Sequence, residues 1–267
     1  MMGRTHATSG AVAWMAAAPL MPTVLDVTPG PVGLAVGLVA AAGAAMLPDF
    51  DHHHATIAQS LGPVTKVIAA GVGAISGGHR NGTHSVLGLA VFTAAAFGLA
   101  TLGGWPLGIF LGFLFAIAAA ALRVEMAKAT IAHTIICVAA AVALLLLAGN
   151  DVFPPLVVAP AVAVGVAAHI VGDMLTKEGC PLAWPVSKLR LKVLTLTTDG
   201  PVERLVIGPA LGVAALVLLA IQTGLLEPGG LTRLVEGLLP DWGRSPDTSA
   251  GSQGGGGLLE TLRRLLA

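Results

Sequence analysis

PVGLAVGLVAAAGAAMLPDFDHHH, residues 31–54, decides the fold class. From Pro31 to Leu47 it carries no charge. That length falls at the short end of the roughly 17 to 25 apolar residues a helix needs to cross a bilayer core. Pro48 stops the helical pattern, and the carboxylates of Asp49 and Asp51 and the imidazoles of His52, His53 and His54 follow at once. A buried apolar rod that ends in ionisable groups reads as a transmembrane helix delivering chemistry to a membrane face.

Working outward, six further apolar segments come close to the same length: Ser9 to Leu25, Val86 to Leu102, Pro106 to Leu122, Ile131 to Ala148, Pro155 to Val171 and Leu205 to Thr223. Composition agrees, for the 267 residues are 55% hydrophobic and 10% charged, with a mean hydropathy of +0.86. Such a chain is not a water-soluble domain. Tyrosine is absent and aromatics are 4%, whereas Ala, Gly, Val and Leu dominate, which predicts helices packed through small residues rather than a barrel with aromatic girdles. The fold class expected is therefore all-α, a polytopic bundle of about seven spans. Turn chemistry at Asp26–Gly30, Gly103–Trp105 and Asn150–Pro154 makes tight hairpins between spans.

Between Asp51 and Ser85 an apolar stretch interrupted by Lys66 and glycines is expected to form an interfacial or re-entrant helix. The membrane domain is expected over residues 1–225. The remainder, 226–267, is a Gly/Pro-rich tail that ends in LLETLRRLLA, a segment suited either to the membrane surface or to solvent. An alternative reading of the first segment is a cleaved signal peptide, since Arg4 precedes it, but a second span follows with hairpin spacing.

Orientation follows from Lys and Arg, which are retained on the cytoplasmic side. With the N-terminus inside, Arg4, Lys66, Arg80, Arg123, Lys128, Lys177, Lys188, Arg190, Lys192 and Arg204 all fall in inner segments, and the three outer hairpins hold none. Formal net charge is zero, with 14 basic and 14 acidic residues, so nothing points to nucleic acid. Cys137 and Cys180 form neither a disulfide framework nor a paired metal motif, and both read as reduced thiols.

The polar motifs share one end of their helices under this topology. His6 precedes the first span, PDFDHHH follows the second, HRNGTHS (His79–Ser85) opens the third and HIVGD (His169–Asp173) closes the sixth. His169 and Asp173 are four residues apart, on one helix face, and together suit zinc, with manganese or iron also able to use them. Asp49, Asp51 and His52 can offer ligands from an irregular turn, while His53 and His54 read as a solvated patch. His79 and His84 bracket the turn pair Asn81–Gly82, so both imidazoles can be presented to one site. Arg80 suits an anion or a salt bridge to Asp49, Asp51 or Glu178. Thr83 and Ser85 suit a helix cap or the orientation of a ligand. His133 reads as an interhelical hydrogen-bond donor. The chain has no G-x-S-x-G elbow, no phosphate-binding P-loop and no C-x-x-C pair.

Four motifs in order, His6, PDxDH at Pro48–His52, HRxxTHS at His79–Ser85 and HxxxDxxTxxGxxxxxP at His169–Pro185, resemble the YdjM-like family of membrane-bound metal-dependent hydrolases. The resemblance runs from about Met1 to Thr223 and implies an inner-membrane location; His53 and His54 exceed the motif. A looser similarity links the pattern to all-helical zinc-dependent phospholipases C and nucleases, with His6, Asp49 or Asp51, His79 or His84, His169 and Asp173 as counterparts. The third histidine cluster of those trinuclear sites has no equivalent here, which implies one or two metal ions.

The function expected is a membrane-bound hydrolase of phosphoester or lipid-derived substrates at the cytoplasmic interface. A divalent metal, zinc foremost, would activate water. The expected ligands are His6, Asp49, Asp51, His52, His79, His84, His169 and Asp173, with Asp51 or His84 as base and Arg80 as anion holder. The alternative is a non-catalytic metal carrier or sensor; a carrier would place ligands near the bilayer midplane.

Overall fold

The structure is a computed structural model that describes residues 1–52, 55–59, 62–122, 139–140, 142–143, 146 and 152–222. Among these the chain is helical, with isolated bridges but no strand. The helices are α1 (Gly3–Ala17), α2 (Met21–Leu25), α3 (Gly30–Ala44), α4 (Thr56–Gln59), α5 (Pro63–Ile75), α6 (Val86–Leu102), α7 (Gly104–Ala121), α8 (Val158–Met174) and α9 (Gly208–Gln222). Contacts divide the chain into two compact units, Met1–Ala215 and Leu216–Ala267. His6, Asp49, Asp51, His79, His84, His169 and Asp173 all belong to the first.

Five helical stretches are long and apolar enough to cross a membrane: Gly3–Leu25, Gly30–Asp51, Gly104–Ala121, Pro155–Met174 and Glu203–Gln222. Each overlaps one of the expected spans to within a residue of its C-terminal end or beyond it. The expected span from Val86 to Leu102 is α6, a shorter apolar helix of 17 residues. Most of the expected span Ile131–Ala148 lies outside the described residues, as do His53, His54, His133, Cys137 and the tail 226–267. The stretch between Asp51 and Ser85 contains α5, whose Val67, Ile68 and Ile75 are exposed. The hairpin at Asp26–Gly30 turns through left-handed backbone at Asp26 (φ 54°) and Gly30 (φ 64°).

Helices α1, α3 and α8 pack against one another, α6 lies on α8, and α7 lies on α3. Small residues allow the close approach. A Cβ on Gly10 of α1 would sit 2.5 Å from the Ala41 carbonyl oxygen of α3, and one on Gly165 of α8 would collide with the same carbonyl. Ala41 is therefore gripped from two sides by glycines. Nearer the other end, the ring of Trp14 fills the space left by Gly37 and its indole N–H donates to the Leu34 carbonyl at 3.0 Å. Gly165 stands one turn before His169, so the close packing that it permits also fixes the height of that imidazole. Gly165→Val is expected to destabilise the protein by about 1–3 kcal/mol, because backbone rather than a flexible side chain must yield. Thermal unfolding of the purified protein in detergent measures the loss; an unchanged midpoint would contradict this packing.

Candidate metal centre

Three local devices bring the polar motifs together. At the end of the Gly30–Asp51 span the chain tightens into a 3₁₀ turn, Pro48–Asp51, which turns Asp49 and Asp51 off the helix. On α8, His169 and Asp173 lie one turn apart and both are fully buried. Between α5 and α6 the backbone reverses through Gly77, Gly78 and Arg80, all at positive φ. Arg80 (φ 56°) is not a glycine, and this unusual conformation directs its N–H to Asp51 Oδ2 at 2.8 Å. Ser85 then caps α6: its Oγ accepts the Gly88 N–H at 3.1 Å and donates to the Gly82 carbonyl at 2.6 Å.

Asp49, His84, His169 and Asp173 converge, with one donor atom from each lying within 4.8 Å of the others. The two Nε2 atoms of His84 and His169 are 3.1 Å apart. His84 Nε2 is 3.6 Å from Asp49 Oδ1 and 3.5 Å from Asp173 Oδ2, and His169 Nε2 is 3.7 and 3.6 Å from the same oxygens. Four donors placed tetrahedrally about 2.0–2.2 Å from a zinc-sized ion are separated by about 3.3–3.6 Å. The five separations given, 3.1 to 3.7 Å, lie close to that range.

The protonation pattern strengthens the fit. His169 Nδ1 lies 2.6 Å from the Ala45 carbonyl, which can only accept, so Nδ1 carries the proton and Nε2 presents a lone pair. Thr83 Oγ1 donates to Asp51 Oδ2 at 2.5 Å and lies 3.0 Å from His84 Nδ1. The single hydroxyl proton is thereby used, so Thr83 accepts from His84 Nδ1–H and the Nε2 of His84 is also a lone pair. With both imidazoles neutral, two lone pairs face each other, flanked by two carboxylates. Asp173 Oδ2 is buried without a hydrogen bond. Its one full charge partner is the Arg80 guanidinium at 3.0 Å, and a second cation or a proton would be accommodated beside it. His84 lies between spans; burial acts to lower its imidazole, yet its hydrogen bonds with Asp173, Asp49 and Asp51 outweigh that and push it up to about 10. A proton and a metal ion would compete for the same space.

Around the cage stands a second layer. His6 stacks on His169 with ring centroids 3.8 Å apart, and its Nε2 is 3.2 Å from Asp173 Oδ1. The Met1 ammonium lies 2.9 Å from the same oxygen. Arg80 Nη2 is 3.0 Å from Asp173 Oδ2 as an ion pair, and Nη1 donates to Thr176 Oγ1 at 3.2 Å and is 3.7 Å from Glu178. Asp51 accepts from the Arg80 N–H and Thr83 at Oδ2, while its Oδ1 is 2.8 Å from His79 Nδ1.

All the site residues expected from sequence therefore lie in this region, but with different places in it. Asp49, His84, His169 and Asp173 supply the convergent atoms. His6 and Asp51 contact those four residues directly. His79 reaches them through Asp51, with its ring 5.7 Å from that of His84, and His52 lies beyond, its ring 4.5 Å from His79. Arg80 forms the salt bridge to Glu178 that its chemistry allowed, and a shorter one to Asp173. Three participants escaped the sequence reading. Thr176 sits within the HxxxDxxT pattern, so its spacing was available as a signal; the Ala45 carbonyl and the Met1 ammonium carry none. Three of the four convergent side chains are sealed, and only Asp49, 19% exposed, reaches the surface.

The model of the YdjM inner membrane protein family matches residues 1–122 and 124–227. No curated protein and no solved structure matches the chain.

Proposed function

Because this chain belongs to the YdjM inner membrane protein family, we propose that its buried cage holds one divalent ion, zinc foremost, and that the protein is a hydrolase of phosphoester or lipid-derived substrates. The observation that carries the reading is the convergence of His84 Nε2, His169 Nε2 and one carboxylate oxygen each from Asp49 and Asp173 within 4.8 Å of one another. Two imidazoles with two carboxylates suit zinc, manganese or iron better than calcium or magnesium, which prefer all-oxygen sets. When bound, such an ion supplies a Lewis acid and lowers the pKa of water.

The chain's own residues then divide the work. Asp49, His84, His169 and Asp173 are the ligands. Asp51 orients both His84, through Thr83, and His79. His79 is partly exposed at 36%, and with Nδ1 committed to Asp51 it presents Nε2 as a proton acceptor beside the cage. Arg80 compensates the buried charge of Asp173 and stands ready for anionic substrate oxygens. Substrate meets the cage on the Asp49 side, where the wall is thinnest.

The placement of the ligands at helix ends argues against a carrier, whose site belongs near the midplane. The basic residues of the inner segments support a cytoplasmic N-terminus and a cytoplasmic site. Purified protein loaded with zinc or manganese is expected to hydrolyse phospholipid or a model phosphodiester, and His169→Ala and Asp173→Ala each to abolish turnover. Full activity in both variants would refute the assignment.

A further inference from the structure

Beyond Asp173 the chain forms a strap that the hydrolytic reading does not use. Its outgoing arm runs from Met174 to Cys180 and its return arm from Leu191 to Leu196, tied by hydrogen bonds from the Val193 N–H to Met174, Leu196 to Leu175, Cys180 to Leu191 and Leu191 to Cys180, at 2.8 to 3.1 Å. The outgoing arm is also fixed at Thr176, which accepts from Arg80. The strap is therefore a built structure, held against the end of α8.

Its tip and return arm read PVSKLRLKVLTL, residues 185–196, with apolar and basic side chains alternating from Lys188 to Val193. Val186 is 93% exposed, Leu189 72% and Val193 64%. Lys188, Arg190 and Lys192 are exposed, and no ion pair holds any of them among the described residues. No acidic residue occurs between Glu178 and Asp199. A row of large apolar side chains this exposed needs a cover. Connectivity restricts what it can be: the Pro155–Met174 span ends where the strap begins, the Glu203–Gln222 span starts just after it, and Val193 is bonded to the last residue of α8. The strap is thus confined to the level at which helices leave the hydrocarbon. There the surroundings are phospholipid headgroups, whose phosphates complement three unpaired cations.

We infer that residues 185–196 form an interfacial anchor in which Val186, Leu189 and Val193 enter the acyl boundary while Lys188, Arg190 and Lys192 bind the phosphates of anionic phospholipid in the same leaflet. Interfacial segments combine an apolar face with long basic side chains in this way. The inference goes beyond the proposed hydrolysis and stands whether or not the cage turns over a substrate. It gives the candidate metal centre a covalent and hydrogen-bonded tether to the lipid surface, since the outgoing arm begins at Met174, the residue after Asp173.

The test uses the full chain with Cys137→Ala and Cys180→Ala, a nitroxide on Leu189→Cys or Val193→Cys, and vesicles of phosphatidylcholine alone or with phosphatidylglycerol. Collision rates with oxygen and with a water-soluble nickel chelate report depth. With phosphatidylglycerol both labels are expected to become oxygen-accessible and shielded from nickel, by a severalfold change in the ratio over phosphatidylcholine alone. Lys188→Glu, Arg190→Glu and Lys192→Glu together are expected to remove that dependence. Labels equally open to nickel in both vesicles would overturn the anchor. So would labels shielded already in lipid-free detergent together with a dimer or a bound protein, which would make the cover proteinaceous. Neither outcome depends on metal content or on ester turnover, so failure here and failure of the hydrolase reading are read separately.

Discussion

His169→Ala is expected to strip the ion from the purified protein, lowering zinc from about one per chain to below about a tenth under conditions that saturate the wild type. Loss of a residue that merely orients a ligand typically weakens metal affinity by about 10–100-fold. His169 is more than that, because its Nε2 is within 3.7 Å of all three other donors and supplies one corner of the cage. Its removal also takes away the ring on which His6 stacks. The control is His79→Ala, which lies outside the four convergent residues and is expected to keep its zinc. Elemental analysis of both variants distinguishes the outcomes: a His169→Ala protein that retains a full equivalent would exclude this cage, and a His79→Ala protein that loses it would move the site toward His79.

The end-on convergence of the motifs was legible because span length and motif position together dictate it. Once the apolar runs are drawn, His6, the PDFD turn, HRNGTHS and HIVGD must fall at one end of the helices. The His169–Asp173 pairing was equally plain, since spacing of four on a helix leaves little choice. What spacing could not settle was which member of each pair, Asp49 or Asp51 and His79 or His84, joins the convergent group. Backbone conformation decides that. Arg80 adopts a left-handed conformation that spends its N–H on Asp51, and Thr83 spends its hydroxyl there too, so Asp51 faces the loop and leaves Asp49 to the cage. His84 follows, because the hydroxyl that binds Asp51 also fixes the tautomer of His84. Nothing in HRNGTHS announces positive φ at an arginine. The Ala45 carbonyl that fixes His169 is silent for a different reason: any residue there would offer one.

Charge explains why so many polar groups are gathered where burial is costly. Asp51 and Asp173 are buried and Asp49 nearly so, against Arg80 and the Met1 ammonium. Arg80 is shared with Glu178, 3.7 Å from its Nη1, so the carboxylates outnumber the side-chain cations set against them. A protonated histidine or a bound cation would offset that excess.

The most informative substitution is then at Asp51, which meets the cage at His84, with Oδ2 3.5 Å from its Nδ1 and bonded to Thr83 beside it. Asp51→Ala removes the acceptor of three donors at once: the Arg80 N–H, the Thr83 hydroxyl and His79 Nδ1. Stranding buried donors costs about 1–3 kcal/mol each, so a loss on the order of 3 kcal/mol in stability is expected. Thr83 would be freed to rotate, the His84 tautomer would no longer be fixed, and zinc affinity should fall by about 10–100-fold rather than vanish. Asp51→Asn separates the two effects. One amide oxygen can still accept from Thr83 and Arg80, so most of the stability should return and zinc should stay bound, but the NH₂ cannot accept from His79. His79 would lose its orientation, and hydrolysis should fall while metal content holds. Isothermal titration with zinc, thermal unfolding and turnover on the same three proteins make the comparison. If Asp51→Asn loses its zinc outright, as His169→Ala should, Asp51 is itself a ligand and the cage extends to a fifth donor.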